Sequence, residues 1–455
     1  MRNHRLFQPL RRGLNATRIV ALSFGILILL GTVLLLLPAM SRSGQSPGWL
    51  TALFTATSAT CVTGLSLVDT WTQWSGAGQV VLLVLIQLGG LGFMTAYTLV
   101  LLLLRQRIGL SQRLLMASAL NLNSVNGVVR LMQHALRGTI FIEGIGAILL
   151  AFRFVPQFGL GPGLWRSIFH AVSAFCNAGF DLMGVQDGAY SLMTYAKDPY
   201  VLLVHMALIV MGGLGFFVWE DLWQHRRRLS KLSLYSKLVL LMSGGLIVMG
   251  GLYFFLAEGC NPLTLGAMTG GDRVVNALFQ SVTLRTAGFA TFPQGGLQDS
   301  SLVMSILLML VGGSSGSTAG GIKTVTVAIL LLSLRAGLRG REQVTLRDRS
   351  IPAEKVRAAT NLVLTVGLLF LASSMAISLL EEPTYLLVAF EAASAMATVG
   401  LSADLTSALG GASHLLLIAL MYLGRVGILS FSLAFLTRRR GEAKVKFPSF
   451  DVMIG

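Results

Sequence analysis

The stretch Ala59-Thr60-Cys61-Val62-Thr63-Gly64-Leu65 decides the fold, because the chain repeats its pattern three more times. The copies are Phe-Cys-Asn-Ala-Gly-Phe at 175–180, Leu-Arg-Thr-Ala-Gly-Phe at 284–289 and Met-Ala-Thr-Val-Gly-Leu at 396–401. In each copy a glycine precedes Leu or Phe, and the four glycines lie 115, 109 and 112 positions apart. Self-similarity at a steady spacing is the sequence sign of an architecture built from repeated units. The chain is therefore predicted to contain four such units.

The composition places the chain in a membrane. Of its 455 residues 54% are hydrophobic and only 12% are charged, whereas about a quarter of the residues of a soluble protein are charged. Apolar runs recur throughout, for example at 19–37, 80–104 and 362–380, and about 20 apolar residues can cross a bilayer as a helix. We expect an all-α integral protein that crosses the cell membrane several times.

The Lys and Arg residues are concentrated in a few segments between the apolar runs and at the two ends of the chain. Five segments hold 27 of the 35 Lys and Arg residues, namely 1–18, 105–137, 226–237, 335–357 and 438–446. Because cytoplasmic loops carry an excess of Lys and Arg, these segments and both termini are predicted to be cytoplasmic. The net charge of +16 thus reflects topology, with contact to acidic membrane lipids as a second role. No nucleic-acid partner is expected.

Each predicted unit contains a first span, a short half-helix, the glycine element and a second span. The first spans are 19–37, 135–154, 238–257 and 361–380. The half-helices, too short to cross a bilayer, are 49–59, 165–175, 274–283 and 385–395. The second spans are 79–104, 200–223, an interrupted one from 302, and 414–436. The units are then 1–134, 135–237, 238–357 and 358–437, followed by a cytoplasmic tail at 438–455.

Two further sequence features recur at similar positions relative to the four glycines and support the repeat. A phenylalanine precedes the glycine by ten residues in units one, two and four, and by nine in unit three. After each element a pair recurs, as Gly89-Gly90, Gly212-Gly213, Gly312-Gly313 and Gly424-Arg425. Since every unit begins and ends inside, the copies would run parallel around an axis along the membrane normal. About eight membrane helices in a pseudo-fourfold arrangement would enclose one pore. A turn is also predicted at Gly161-Pro162-Gly163.

The four glycine elements are predicted to form a cation filter on that axis. Non-helical backbone at membrane depth must be packed in protein or line water, and inward carbonyl oxygens can replace the hydration shell of an ion such as K+. The half-helices would direct the negative ends of their dipoles to the axis, which favours a cation. Close packing between helices is the alternative explanation for any one glycine. The filter residues are Val62, Thr63, Gly64, Asn177, Ala178, Gly179, Thr286, Ala287, Gly288, Thr398, Val399 and Gly400.

The third unit interrupts its second span at 312–321, where five glycines stand among hydroxyl residues and helix propensity is poor. The pattern also resembles a phosphate-binding loop, but apolar runs flank it and its lysine comes one position late, so that interpretation is rejected. We expect an intramembrane gating loop below the filter. The gate residues are Gly312, Gly313, Ser314, Ser315, Gly316, Ser317, Thr318, Lys323 and Arg425.

Several charges lie inside apolar segments, where a charge is by default a functional hypothesis. Lys323 has three open interpretations: a cationic barrier, a snorkelling side chain, or a partner of a carbonyl or an acid. Arg425 stands where the other units have glycine, so we expect it to face the axis; a helix-packing ion pair is the alternative. Arg285, beside the third element, is expected to be structural, with Glu391 as its candidate partner.

The sequence offers no catalytic constellation. The six histidines are scattered and the three cysteines include no CxxC pair, so neither zinc, nor a disulfide framework, nor an enzyme is expected. A secondary active cation or solute transporter is the alternative function. It would need acids or broken helices at the midplane, and Glu143 is the main acidic residue within the spans.

The four loops and the interrupted span resemble the Trk/Ktr/HKT superfamily of cation-translocating proteins over essentially the whole chain. The most distinctive stretches are 285–289 and 312–323. Because only about 18 residues precede the first span, the chain is more similar to KtrB-type membrane subunits than to Trk-type members with additional N-terminal helices. The resemblance implies potassium uptake, with Na+ as a second candidate ion, a homodimer with one pore per subunit, and control by a cytoplasmic KtrA-like RCK ring. No cofactor is expected in this chain, since a nucleotide would bind only to that partner. The resemblance also implies that Arg425 interacts with the gating loop.

Overall fold

The computed structural model describes residues 16–92, 127–184, 190–225, 229–341, 343–347 and 349–427. Within these ranges the chain is mostly helical, and its one sheet is a two-stranded antiparallel hairpin of β1 (Thr345–Leu346) and β2 (Arg349–Ser350). The predicted all-α class is therefore confirmed. The tail at 438–455 and the end of the first predicted unit lie outside the described residues.

The helices follow one another in an order that alternates long and short elements. In chain order they are α1 (Ala16–Leu35), α2 (Trp49–Cys61), α3 (Thr70–Gln73), α4 (Gly76–Leu91), α5 (Val128–Phe158), α6 (Leu160–Cys176), α7 (Pro199–Leu214), α8 (Phe216–Gln224), α9 (Leu234–Ala257), α10 (Gly270–Thr283), α11 (Asp299–Leu310), α12 (Thr324–Leu338), α13 (Ala353–Leu380), α14 (Tyr385–Ala397) and α15 (Gly411–Val426).

The four long helices α1, α5, α9 and α13 correspond to the predicted first spans. Each is long and apolar enough to cross a membrane, and the bent pair α7–α8 raises the number of such spans among the described residues to five. Large apolar side chains form an exposed stripe along α13, at Leu364, Leu368, Leu371, Met375 and Leu379. Water would disfavour such a surface, so the stripe marks a face that contacts lipid.

The short helices α2, α6, α10 and α14 form the inner layer of the protein. Each packs against the long helix that precedes it in the chain. The second helix of each predicted unit packs against the short helix of the next, and these contacts close into a ring: α4 with α6, α7 with α10, α11 with α14 and α15 with α2. The phenylalanines that share a register ahead of the glycines, Phe54, Phe169, Phe279 and Phe390, are fully buried there. The hydrophobic core therefore surrounds the glycine elements.

Three of the second helices end or bend at a glycine with positive φ. The expected continuous span at 200–223 is wrong, because α7 stops at Leu214 and α8 turns away by 95° at Gly215. Two further glycines end second helices in a similar backbone conformation: Gly92 (φ 78°) follows α4 and Gly427 (φ 91°) follows α15. A positive φ does not continue a right-handed helix, and glycine adopts it without steric cost. The ends of the predicted spans 79–104 and 414–436 fall beyond the described residues.

The turn predicted at Gly161-Pro162-Gly163 is also wrong, because these residues lie in the first turn of α6. The chain reverses two residues before the predicted turn, at Gly159 (φ 84°), between α5 and α6. Proline is tolerated at this end of a helix, where the amide it lacks would have no partner in any case.

Candidate functional site

The four predicted filter glycines meet in a closed ring. A β-carbon built on each glycine would lie no more than 3.0 Å from the carbonyl oxygen of the residue that precedes the next glycine: Gly64 against Ala178, Gly179 against Ala287, Gly288 against Val399 and Gly400 against Thr63. The order around the ring is therefore the order in the chain. No side chain fits at these points, so backbone alone closes the ring.

The backbone of every element leaves the helical conformation in the same way. The ring glycines have φ values of 99°, 71°, 84° and 96°, and the residues two positions earlier also have positive φ: Val62, Asn177, Thr286 and Thr398. Between them stand Thr63, Ala178, Ala287 and Val399, all fully buried. No hydrogen bond within the described part of the chain reaches the carbonyl oxygens of these four residues. The ring thus presents buried carbonyl oxygens that no group of the described residues pairs.

The polar side chains of the predicted filter do not pair with one another across the ring, and the hydroxyls of Thr63, Thr286 and Thr398 have no partner among the described residues. Asn177 bonds within its own unit: in the amide orientation that satisfies its neighbours, the side-chain nitrogen donates to the carbonyl oxygens of Ala174 (3.0 Å) and Ile209 (3.2 Å). A hydroxyl near the end of each short helix fixes the glycine element that follows. In the first and fourth elements the hydroxyl accepts from the amide of the ring glycine: Ser58 from Gly64 (3.0 Å) and Ser394 from Gly400 (3.1 Å). In the second and third elements it donates to the carbonyl oxygen of the residue after the glycine: Ser173 to Phe180 (2.6 Å) and Thr283 to Phe289 (2.7 Å). The sequence interpretation missed these hydroxyls, although three of them recur six positions before the glycine.

The third element is the irregular one. The helices α2, α6 and α14 end on a left-handed residue, whereas α10 is followed by Leu284 in the right-handed conformation and positive φ first appears at Thr286. The unequal spacing of Phe279 indicated this difference, because one residue fewer separates it from the glycine.

The glycines of the second helices fit against the ends of the short helices. A β-carbon on three of them would collide with a carbonyl oxygen four residues before a ring glycine: Gly89 with Thr60, Gly212 with Phe175 and Gly424 with Met396. In the third unit Gly312 instead meets the carbonyl oxygen of Gly320, inside the predicted gating loop. The loop therefore occupies the position where the other units pack helix on helix.

The predicted gating loop lies directly beneath the ring. Its base closes on itself, since the Gly312 amide donates to Ile322 at 2.9 Å. The Thr318 hydroxyl donates to the carbonyl oxygen of Phe175 at 3.1 Å, at the end of α6. On the opposite side Gly320 lies against Thr398, at the end of α14. The loop thus spans the space between two filter elements.

Arg425 and Lys323 both bind the loop backbone. The guanidinium of Arg425 donates to the carbonyl oxygen of Thr318 (2.5 Å) and to those of Gly89 (2.5 Å) and Gly90 (3.1 Å). The Lys323 ammonium donates to the carbonyl oxygen of Ala319 at 2.6 Å. Of the three interpretations of Lys323, this contact favours the one in which the ammonium group binds a carbonyl oxygen.

The expected pairing of Arg285 with Glu391 is wrong. Arg285 is buried and donates to the backbone and hydroxyl oxygens of Ser243 (3.3 and 3.2 Å). Glu391 accepts from Ser402 (2.6 Å), from the amide of Ala403 (2.9 Å) and from Thr406. Each therefore fixes a different segment: Arg285 joins the third element to α9, and Glu391 shapes the chain that follows Gly400.

A cavity of about 260 Å³ opens on the face of the ring opposite the loop, and all four ring glycines line it. Three carboxyl groups, those of Asp69, Asp181 and Asp404, border it. Burial, and to a smaller extent the nearby Asp69, raise the pKa of Asp181 to about 7. The raised pKa leaves Asp181 partly protonated near pH 7, and the carboxyl groups at the mouth attract cations to the extent that they are ionised.

Glu143, the acidic residue noted within the spans, does not line the cavity at the ring. The amide nitrogen of Gln87 donates to both of its carboxylate oxygens, at 3.1 and 3.2 Å. Among the described residues no cluster of three His, Cys, Asp or Glu side chains could hold a metal ion.

Comparison with known proteins agrees with this architecture. The family model TrkH, described as a cation transport protein, matches residues 11–441. The chain is 41% identical to the potassium/sodium uptake protein NtpJ of Enterococcus hirae, covering 98% of both chains. It is 39% identical to the Ktr system potassium uptake protein B of Bacillus subtilis, covering 96% of both.

A solved structure shares the fold at lower identity. The potassium transporter TrkH of Vibrio parahaemolyticus superposes with a TM-score of 0.72 at 17% identity, over 96% of this chain and 86% of that one. The relatives are ion transporters, so the prediction that the chain is not an enzyme is confirmed. The predicted superfamily and the multi-pass membrane fold are confirmed as well. This chain belongs to the TrkH family of cation transport proteins.

Proposed function

We propose that the chain carries potassium into the cell through the glycine ring, whose backbone carbonyl oxygens bind the dehydrated ion. The observation that carries this proposal is the set of four buried carbonyl groups, at Thr63, Ala178, Ala287 and Val399, which accept no hydrogen bond from the described residues. Buried backbone carbonyls are nearly always paired. A ring of carbonyl oxygens matches a monovalent cation because it replaces the hydration shell.

The electrostatics of the ring favour a cation. The short helices α2, α6 and α14 end within three residues of the ring glycines, and the carboxyl end of a helix carries partial negative charge. The aspartates at the mouth add to this potential. Related proteins are named for potassium uptake and for potassium/sodium uptake, so K+ is the proposed principal ion and Na+ a second one.

The loop at 312–321 is proposed to be the gate, closed in the conformation described here. It lies between the ends of α6 and α14, and Arg425 binds it to the carbonyl groups of Gly89 and Gly90. Two positive side chains, Lys323 and Arg425, stand beside it and oppose the entry of a cation from below. Opening requires the loop to leave this position.

The proposal extends to the arrangement of the units, the dimer and a regulatory partner. The units 1–134, 135–237, 238–357 and 358–437 would form the four quarters of one pore, with both termini and the tail at 438–455 in the cytoplasm. Two copies would form a homodimer, and a KtrA-like RCK ring would bind nucleotide and control the gate. A relative is named as protein B of a Ktr system, which supports a further subunit.

A carboxylate-coupled transporter is less well supported. Three buried glutamates of the described residues, Glu143, Glu258 and Glu391, already accept hydrogen bonds from protein groups, and none of them lines the cavity at the ring. We therefore propose that the ion binds backbone oxygens rather than a side-chain acid.

Flux into liposomes that contain the purified chain tests the filter. Gly288→Ser places a side chain where a β-carbon would lie 2.5 Å from the Val399 carbonyl oxygen and 3.0 Å from Gly179. The variant should lose uptake of rubidium, used as a potassium tracer, and should lose its preference for rubidium over sodium. Gly245→Ser is the matched control, because a β-carbon at Gly245 on α9 has no atom within 4 Å. Unchanged uptake and preference in Gly288→Ser would contradict the filter.

A further inference from the structure

The joint between α7 and α8 is completed by hydrogen bonds from the gating loop, about 100 residues later in the chain. α7 ends at Leu214 and α8 begins at Phe216, with Gly215 (φ 87°) between them and a bend of 95°. Together the two helices are long and apolar enough to form a single span. The joint is therefore a span broken at one glycine, and not a pair of helices separated by a polar turn.

The last carbonyl groups of α7 find donors outside the helix. An α-helix leaves its four final carbonyl groups without an internal donor. In α7 the first of them, Met211, accepts from the indole Nε1 of Trp219 at 3.1 Å. The gating loop supplies the other three donors: the Thr318 amide to Gly212 (3.3 Å), the Ser314 amide to Gly213 (3.0 Å), and the Ser314 hydroxyl to Leu214.

The same loop holds the start of α8. The amide of Phe216 donates to the carbonyl oxygen of Gly316 at 3.0 Å. The hydroxyl of Tyr235, on α9, donates to the carbonyl oxygen of Ser315 at 3.2 Å. A β-carbon on Gly215 would lie 2.6 Å from the Ser314 hydroxyl oxygen, so glycine is required for this contact. The bent joint and the seated loop thus complete one set of hydrogen bonds.

Departure of the loop would leave three carbonyl groups of α7 without donors. Unpaired carbonyl groups in an apolar environment are costly. A helix that continues through Gly215 removes this cost, because the amides of residues 215–218 then reach the carbonyl groups of residues 211–214. Glycine tolerates both the positive φ of the bent state and the negative φ of a helix. The joint therefore has two self-consistent conformations, and the position of the loop distinguishes them.

We propose that α7 and α8 are bent only while the loop is seated, and that they join into one continuous helix when the loop leaves. The proposal rests on the proposed role of the loop as the gate. It makes Tyr235 and Gly215 positioning residues of the closed state. It also links the gate to the surface of α8, because straightening would break the contact of Glu220 with His134 (2.8 Å) and that of Asp221 with the Ser233 amide (2.9 Å).

Spin labels on the two helices measure the bend directly. Leu203 on α7 and Gln224 on α8 are exposed, and Cys260 is the exposed native cysteine to be replaced by serine, since Cys61 and Cys176 are buried. With a rise of 1.5 Å per residue, the backbones of 203 and 224 are roughly 22 Å apart across the bend and would be roughly 32 Å apart in a continuous helix. Pulsed electron spin resonance on the full chain in liposomes resolves a shift of this size. Singly labelled chains identify distances between copies.

The variants are chosen so that the joint and the gate can fail separately. Deleting Gly313–Thr318 should populate the longer distance and raise rubidium flux. Tyr235→Phe removes one hydroxyl and should increase the population of the longer distance, with flux, by up to about tenfold. Gly215→Ala should do the same, since alanine disfavours positive φ and favours helix. Its matched control is Gly92→Ala, where φ is 78° and a β-carbon meets no atom within 4 Å.

The distance measurements test the joint, and the flux measurements test the gate. A longer distance in the deletion, Tyr235→Phe and Gly215→Ala variants, but not in Gly92→Ala, supports the joint. Unchanged distances in the deletion variant overturn it, even when flux rises and the gate itself is upheld. Equal effects of Gly92→Ala and Gly215→Ala also overturn it, because the effect would then be general strain. A lengthened distance without a rise in flux supports the joint and contradicts the loop as the gate.

Discussion

The guanidinium of Arg425 lies 2.5 Å from the carbonyl oxygen of Thr318, so a side chain from the fourth predicted unit holds a loop of the third. The same guanidinium reaches Gly89 and Gly90 in the first unit, and the Thr318 hydroxyl reaches Phe175 in the second. All four units thus contribute to the position of the loop, which makes Arg425 the first place to test it.

Arg425→Gln should open the gate. The substitution removes the charge and most of the donors, and hydrogen bonds to a charged group contribute about 1.5–3 kcal/mol each. Loss of one such bond should raise rubidium flux about tenfold or more, since about 1.4 kcal/mol corresponds to a factor of ten.

Arg425→Lys separates the charge from the hydrogen bonds. Lysine keeps the charge but lacks the planar fork that reaches two carbonyl groups at once. If the bonds hold the loop, the lysine variant should also show raised flux, though less than the glutamine variant. Wild-type flux in Arg425→Gln itself would show that Arg425 does not restrain the gate.

Lys323→Met should increase cation flux without changing selectivity. Lys323 donates to Ala319 within the loop, and under the proposed function its charge beneath the ring repels an entering cation. Removing the charge lowers that barrier, while the ring carbonyls stay in place. Single-channel or tracer measurements of rubidium and sodium flux test both parts. A changed ratio of rubidium to sodium would contradict this separation of gate and filter.

Ser394→Ala should weaken ion selectivity. The Ser394 hydroxyl accepts from the amide of Gly400 at 3.1 Å, and leaving a buried amide unpaired costs about 1–3 kcal/mol. The fourth element should then relax, and the preference for rubidium over sodium should fall several-fold. Ser305→Ala is the control, because Ser305 is equally buried but bonds only within α11, to Ser301 at 2.7 Å. A fall of equal size in both variants would mean that the loss is nonspecific.

Glu391→Ala should destabilise the protein more than Glu391→Gln. The carboxylate accepts from Ser402, Ala403 and Thr406, and alanine leaves these donors without an acceptor at a cost of about 3 kcal/mol. Glutamine keeps one oxygen, and a serine or threonine hydroxyl can rotate to accept from its nitrogen. Thermal melting of the detergent-solubilised chain measures the difference. Glu354→Ala, at an exposed position in the first turn of α13, should melt like the wild type.

Much of the ring could be predicted because its signals are local. Glycine at a steady spacing, a short apolar helix before it and a buried phenylalanine at constant register all lie within about a dozen residues. Such a pattern depends on backbone conformation, which glycine encodes directly. Even the irregular third quarter had a local sign, in the shorter spacing from Phe279 to Gly288.

What could not be predicted depends on contacts between distant segments. The run at 200–223 is apolar throughout its middle and reads as a continuous span, because the donors that complete its break belong to residues 314–318. The motif Gly-Gly-Leu-Gly-Phe, present at 89–93 and 212–216, was the available signal. Likewise, charge alone suggested that Arg285 pairs with Glu391, whereas each of them binds neutral backbone and hydroxyl groups instead.

The broken helix also constrains how the protein is made. Ser314 follows the carbonyl group it caps at Leu214 by 100 residues, so the ribosome releases α7 long before the loop exists. During that interval a bent segment would have three carbonyl groups without a partner, and a segment entering the bilayer with unpaired backbone groups is strongly disfavoured. Residues 199–224 should therefore insert as one straight helix and acquire their bend only when the third quarter of the chain arrives. Biogenesis would then pass through the straight conformation before the finished transporter first closes.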